Sequence, residues 1–384
     1  MKVCGIICEY NPFHNGHAYH IQCIRAKTSC DYIVCVMSGF FTQRGEAALL
    51  SKWDRAQMAL SSGADAVFEL PALYAVRDAQ RFALGGVSLL HSLGLVTHLG
   101  FGSEEGSLET LTQQAFAKEN IFQLHEGLRR GETVARARGN AVSLPFTPND
   151  ILGVEYLRAL QVLQSPIEPV VIKRHGSGYH DHEIHSFASA TAIRHSLATG
   201  GVFETAMPPS AYKILQDCLT MGAAQSPSLL DTALLYALRS LSAQQLAETA
   251  DISEGLENRI IRAGFSCISR EECIHYIKTK RYTYARISRI LTQALLGITK
   301  SMTMRYPLPS YARLLGFRRT ARPFLAALGK ASSIPVVVKA ASFQKQGNAC
   351  FALDNRAADI WALGAENSRL RIGGTNFTQH IRIQ

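Results

Sequence analysis

The sequence predicts an α/β fold: an open parallel sheet covered on both faces by helices, followed by a mainly α-helical C-terminal domain. Three observations carry the prediction. Short apolar runs at Val3 to Cys8, Tyr32 to Met37, Ala66 to Leu70, Val96 to Phe101 and Pro169 to Ile172 alternate with segments of helical periodicity. Tyr32 to Met37 is continuously apolar, as a strand buried on both faces has to be. Beyond Gly200-Gly201 and Pro208-Pro209 strands nearly vanish, so the chain divides into residues 1–205 and 206–384.

Taken in order, Val3 to Cys8 is the first strand, and Ala18, Ile21 and Ile24 mark the apolar face of the first helix. Tyr32 to Met37 ends at Ser38-Gly39. Ser51 opens a helix with Asp54 three residues on, and Gly63 closes it. Pro71 stops the strand Ala66 to Leu70; a helix from Arg81 to Leu93 and the strand Val96 to Phe101 follow. Ser107 to about Ala141 is helical and charged, and Arg129, Arg130, Arg136 and Arg138 make either a basic face or a solvated surface. Asn149 or Asp150 is expected to cap the next helix, leaving the other free to face a ligand. Ala211 to Leu219, Leu229 to Leu241, Leu256 to Ala263 and Glu271 to Leu296 read as the helices of the second part. The tail around Ile334 to Val338 shows no clear pattern.

With 384 residues, 47% hydrophobic and 18% charged, the chain fits a soluble protein of two or three domains. No apolar run spans a bilayer, and the N-terminus runs straight into a strand without a cleavage site, which predicts a cytoplasmic protein with no membrane partner. Nine cysteines, an odd count with several inside strand-like runs, read as buried thiols of a reducing compartment. No Cys-x-x-Cys pair occurs, so no metal site is predicted. The net charge of +10 suits a polyanionic partner, nucleic acid first, although a merely basic, solubilising surface has the same sign.

The stretch Ile7 to His20, I-C-E-Y-N-P-F-H-N-G-H-A-Y-H, joins the first strand to the first helix. A helix start presents unpaired backbone N–H groups and a positive dipole end, which stabilise an anion such as a triphosphate. Gly16 lets a ligand approach the backbone, and His14 and His17 share a helix face from which both can donate to phosphate oxygens. The blander alternative is two exposed helix histidines with Asn15 as a cap. Lys173, Arg174 and His175 sit at the carboxyl end of a strand, the ligand edge of such a sheet. Ser189-Ala190-Thr191-Ala192-Ile193-Arg194 opens a further helix, either as an ordinary cap or as a second anion site. In the second part Lys278, Lys280, Arg281, Tyr282, Arg286 and Arg289 interleave cations with tyrosines, a pattern suited to phosphates and unpaired bases. Arg305, Arg313, Arg318, Arg319 and Arg322 read as additions to the same basic region; a helix with a snorkelling basic face is the alternative.

The H-x-G-H segment paired with S-A-T-A-I-R resembles the two phosphate-binding motifs of the nucleotidylyltransferase and class I aminoacyl-tRNA synthetase superfamily, which has a Rossmann-like (HUP) sheet. Together with Q-R-G-E at Gln43 to Glu46, F-G-S-E at Phe101 to Glu104, P-N-D-I-L-G-V-E-Y at Pro148 to Tyr156, K-R-H-G-S-G-Y-H-D at Lys173 to Asp181 and K-R-Y-T-Y-A-R, it resembles the bacterial tRNA(Met) cytidine acetate ligase family. The loop Phe40-Phe41-Thr42 and Ala47 depart from that family's pattern. The resemblance implies an ATP-dependent ligase that joins acetate to ATP as acetyl-adenylate and passes the acetyl group to N4 of the wobble cytidine of elongator tRNA(Met). It implies that Ile7, Cys8, Glu9, Tyr10, Asn11, Pro12, Phe13, His14, Asn15, Gly16, His17, Ala18, Tyr19 and His20 hold ATP. Gly102, Asn149 and Arg174 would complete the pocket, Ser189, Thr191 and Arg194 would hold phosphate, and His14 and His17 would be catalytic. Residues 1–205 would be the catalytic domain and 206–384 the tRNA-binding one. Whether Mg2+ accompanies ATP is open at this level, as is the oligomeric state. The competing readings are a small-molecule adenylyltransferase of the same superfamily and a noncatalytic RNA-binding protein on a decayed nucleotide fold.

Overall fold

In the computed structural model β1 (Val3–Cys8), β2 (Tyr32–Ser38), β3 (Ala66–Leu70), β4 (His98–Ser103) and β5 (Glu168–Lys173) pair in parallel in the order β5-β4-β1-β2-β3. The structure describes residues 1–117, 129, 147–174, 187–253, 255–280 and 282–384. The expected arginines 130, 136, 138 and 281 and the loop residues His175, Gly176, Gly178, Tyr179, His180 and Asp181 lie outside the described residues.

Every second side chain of a strand points to the same face, and both faces are apolar. Val34 and Val36 join Val3, Phe68 and Leu99 on one face; Ile33, Cys35 and Met37 join Cys4, Ile6 and Val67 on the other. Helices of eight residues or more are numbered in chain order. Packed with the second face are α1 (Asn15–Thr28), α2 (Lys52–Ser61), α6 (Ala190–Thr199) and α7 (Pro209–Thr220). The first face carries α3 (Ala79–Ser92), α5 (Pro148–Val162), α12 (Arg322–Ala331) and α13 (Ala349–Ala362), with α4 (Leu108–Phe116) against α5. A third core, built on Leu238, Ile260, Ile274, Ile287 and Leu291, joins α8 (Asp231–Ser240), α9 (Leu256–Ser266), α10 (Arg270–Ile277) and α11 (Tyr284–Leu296).

Three findings differ from the sequence reading. The tail carries strands: β6 (Ala312–Phe317) pairs antiparallel with β3, and β7 (Val336–Val337) and β8 (Arg382–Ile383) pair with β6, so the sheet continues past residue 205. The segment Glu271 to Leu296 is two helices, because the Thr283 hydroxyl accepts from the Arg286 N–H and starts α11 afresh. Neither Asn149 nor Asp150 caps α5: Pro148, which has no N–H to satisfy, takes the first helical position and moves the cap to Thr147.

The topology also marks a place. After β1 the chain moves to β2 on one side, while β4 returns on the other, so a crevice opens beyond the carboxyl ends of β1 and β4.

Candidate active site

The turn after β1 fills that crevice. Tyr10 takes a left-handed backbone conformation (φ 48°), a strained state for a bulky residue, and is held in it by burial. His14 then caps α1: its Nδ1 accepts from the Gly16 N–H at 3.1 Å, while Nδ1 of His17 accepts from the His14 N–H at 3.3 Å. Asn15, the expected cap of the blander alternative, instead donates to the Thr205 carbonyl at 2.8 Å.

This reciprocal cap decides the state of both rings. An Nδ1 that accepts a hydrogen bond carries no proton, so each imidazole is neutral and bears its hydrogen on Nε2. Burial, reinforced by Arg174, pulls His14 down to about 3 and, with His14 itself as a second neighbour, holds His17 well below its ordinary value. Burial does the same to His20, to about 4, and its Nε2 has no partner among the described residues. The two rings of the cap lie 3.7 Å apart, centroid to centroid, with Tyr10 edge-on to His17 at 4.8 Å. Neutral Nε2–H donors at a helix N-terminus suit an oxyanion whose charge grows during reaction.

The remaining predicted residues come to this turn from distant parts of the chain. Arg174, just past β5, pairs with Glu104 at 3.7 Å, and the same carboxylate accepts from Asn149 at 2.5 Å and from Thr147 at 2.7 Å. Gly102 is small for a reason, since a Cβ there would stand 3.3 Å from the Arg174 side chain. Asp150 is turned away, accepting from Ser103 Oγ at 2.5 Å and from the Glu104 N–H at 3.1 Å. Ser189 caps α6 through the Ala192 N–H, Thr191 is half-buried in its first turn, and Arg194 reaches back to the Asn11 carbonyl at 2.7 Å and to Glu46 at 3.3 Å. The first turn and the start of α6, 183 residues apart at this contact, therefore touch.

Not every residue of Ile7 to His20 faces the crevice. Ile7 packs toward Gly86, where an added Cβ would meet it at 2.7 Å, and Cys8, Tyr10 and Phe13 are core residues. Cys8 is an inert thiol, pushed far up by burial and by Cys35. Glu9 accepts from the Gln43 N–H at 2.6 Å, and burial raises its carboxyl. Pro12 is buried beside Asn11, whose Oδ1 takes the Leu49 N–H at 2.7 Å; Ala18 is half-buried, and Tyr19 meets Phe187 edge-on at 5.9 Å.

The loop Gln43 to Glu46 ties this turn to the helical half. Gly45 sends its carbonyl to Arg270 and Thr292, both at 2.5 Å, and Ser288 Oγ donates to the Arg44 carbonyl at 2.6 Å. On that half Lys278 and Lys280 are exposed between α10 and α11, Arg286 lies over the Tyr282 ring at 5.0 Å, and Arg289 is half-buried behind Gly45. Arg313 and Arg318 do not join them. Arg313 is buried and bonded to the Asn376 carbonyl, and the N–H of Arg318 bonds to the Asp65 carbonyl, at the amino end of β3 and so opposite the crevice.

The residue that sequence reasoning left without a role is Glu104, which links Arg174, Asn149 and Thr147. An acidic residue two places past Gly102 at a strand's carboxyl end was the available signal.

Comparison with known proteins agrees with this geometry. The model of the HIGH Nucleotidyl Transferase family matches residues 1–374. A protein of Thermoanaerobacter sp. (strain X514) named tRNA(Met) cytidine acetate ligase is 40% identical, over 98% of each chain. Its namesake in Acetivibrio thermocellus is 36% identical over the whole of both. The crystal structure of apo Thermotoga maritima TmcAL superposes with a TM-score of 0.93 at 31% identity, over 100% of this chain and 99% of that one. The same protein bound with alpha-thio ATP gives 0.91 at 30% identity and the same coverage. A histidine-capped helix at the switch point of a parallel sheet, in a chain alike from end to end, has one home: it belongs to the tRNA(Met) cytidine acetate ligase family of HIGH nucleotidyl transferases.

Proposed function

We propose that this protein forms N4-acetylcytidine at the wobble position of elongator tRNA(Met), using ATP and acetate. An acetate oxygen attacks the α-phosphorus of ATP and pyrophosphate leaves. The cytidine N4 then attacks the acetyl carbon and AMP leaves. His14 and His17 donate Nε2–H to the phosphate oxygens as charge shifts onto them. Most of the barrier is lowered by such fixed donors and by alignment, so no acyl-enzyme is required.

ATP lies across the crevice, its phosphates between the α1 and α6 starts and within reach of Arg174, with Gly102 and Asn149 lining the nucleoside side. Ile7, Cys8, Tyr10 and Phe13 act by shaping the turn. Residues 1–205 handle ATP, and the helical part of 206–384 presents Lys278, Lys280, Arg281, Tyr282, Arg286 and Arg289 to the RNA. The supporting observation is the Arg194 to Asn11 bond of 2.7 Å, which holds two phosphate-type helix starts at one place.

The test is incubation with ATP, labelled acetate and total tRNA, followed by nuclease digestion. Label on a cytidine of tRNA(Met), dependent on ATP, is the expected result. Label on AMP alone, whether or not tRNA is present, would point to a different acceptor.

A further inference from the structure

Four arginines gather where the chain leading into α3 meets α11, at the bond from Gln293 Nε2 to the Val76 carbonyl, 2.8 Å. Arg289 feels Asp251 and Asp78 most and then Arg286 and Arg77, and Arg77 feels Asp251, then Arg81 and Asp78. Among the described residues, the two carboxylates in reach are already engaged. Asp78 caps α3 through the Arg81 N–H at 2.9 Å and takes the Arg81 guanidinium at 2.5 Å. Asp251 accepts from Gln293 at 2.6 Å and pairs with Arg77 at 3.3 Å. Arg286 turns to Ser253 Oγ at 3.1 Å. Arg289 has no hydrogen-bond or ion-pair partner among the described residues.

Two donors stand out. Nε of Arg77, a residue only 5% exposed, and Nε of Arg289 are both buried and unbonded. Buried polar groups are nearly always satisfied, so each calls for an acceptor. Water would satisfy an N–H, but it would not balance four guanidinium charges against two engaged carboxylates. An anion does both, and arginine forks fit phosphate oxygens. The cluster also adjoins the reaction centre: the Arg77 carbonyl accepts from Gln43 Nε2 at 3.0 Å, and the Gln43 N–H bonds to Glu9 of the histidine turn at 2.6 Å.

We propose that Arg77, Arg81, Arg286 and Arg289 seat a backbone phosphate of the acceptor RNA beside the cytidine to be acetylated, a role that rests on the RNA acetylation reading above. Two of the four come from the sheet half and two from the helical half, so binding there fixes the RNA across both. A triphosphate tail offers the same chemistry, and the experiment separates the two sources.

Labelled unmodified tRNA is titrated against the full-length wild type, R289Q, R289K and R77Q/R289Q at several salt concentrations, with ATP affinity measured on the same preparations. R289Q breaks no ion pair among the described residues, and thermal melting verifies that each variant is folded. RNA binding is expected to weaken about tenfold per arginine lost, with R289K between wild type and R289Q. The slope of log K against log salt should fall by about 0.7 for a lost phosphate contact. ATP affinity should not change. Unaltered RNA binding and slope in R77Q/R289Q overturn the proposal, as does weakened ATP binding with RNA binding intact, which assigns the seat to the nucleotide. A wild type that binds RNA in this way yet transfers no acetyl group refutes the acetylation reading and leaves the seat standing; acetylation by a wild type that the variants match in RNA binding refutes the seat alone.

Discussion

His14 carries two roles that a single substitution can separate. Its Nδ1 caps α1, which leaves Nε2–H as its one donor. Asparagine is a good cap but offers no donor at the Nε2 position. H14N should therefore fold with a near wild-type melting temperature while acetate-dependent exchange of pyrophosphate into ATP falls by about 10² to 10³; an equal loss of stability and exchange would show that the ring only caps. The same residue sets a pH dependence. In the fold His14 is held down to about 3, whereas an unfolded histidine has its ordinary value of 6.5. Between those values the unfolded chain binds the extra proton, so the contribution to stability is complete above 6.5 and is lost as pH falls toward 3. At pH 5 this amounts to about 2 kcal/mol for His14. Urea titrations at pH 7 and pH 5 should show that loss in wild type and a smaller one in H14N. These histidines were legible in sequence because helix start, glycine and paired imidazoles sit within four consecutive residues. Glu104 and the Arg77–Asp251 pair were not, since their partners are brought to them only by the fold.

Among elements, the loop Gln43 to Glu46 does the joining. Gly45 has φ +76°, and a Cβ on it would lie 2.7 Å from the Arg289 backbone, so α11 and the loop meet main chain to main chain. G45A meets both a left-handed penalty and a collision that no side-chain rotation relieves, and should lower stability by about 2 kcal/mol or more. Because Glu46 also holds Arg194, ATP should bind more weakly to G45A even where it remains folded. Urea denaturation and ATP titration measure the two effects; unchanged values for both would mean that the loop is not a fixed joint. The sequence showed Gln-Arg-Gly-Glu as one of the motifs shared with the family it resembles, but its attachment to α11 depends on backbone contacts that side-chain types do not announce. The break at residues 278–283 was hidden for a related reason. Helical periodicity resumes after it almost in phase, and only the Thr283 cap marks the restart.

At the scale of the whole molecule, the sheet runs across residue 205, and a buried ionic cluster sits where β6 joins β3. Periodicity revealed the five parallel strands because each is a short, mostly apolar run set between helical segments, even where Glu69 sits inside β3. It did not reveal β6, A-R-L-L-G-F, whose arginine interrupts the pattern. That arginine is buried because Glu69 of β3 receives it at 3.8 Å together with Lys52, which contacts both carboxylate oxygens at 2.6 Å. Arg313 lies over the Trp53 ring at 5.2 Å and the Phe351 ring at 5.4 Å, and Lys52 over Phe40 at 4.9 Å. Burial, reinforced by Arg313 and opposed by Glu69, brings Lys52 down to about 8. Burial and Glu69 raise the Asp354 carboxyl, which accepts from Tyr311 and from the Ala72 N–H at 2.8 Å, to about 7, so Glu69 is left to carry the compensating charge. One carboxylate thus compensates two buried cations at the seam between β3 and β6. Removing it leaves both without their partner, and breaking a buried pair in this way costs about 3 to 5 kcal/mol. E69Q keeps the shape and removes only the charge, so it should destabilise by that amount in urea denaturation. If β6 and the ATP half form one cooperative unit, sheet circular dichroism and tryptophan fluorescence, which reports on Trp53 of α2 and Trp361 of α13, will fall together at the lower midpoint. A residual transition of wild-type midpoint in either signal would show that the two parts of the sheet unfold independently.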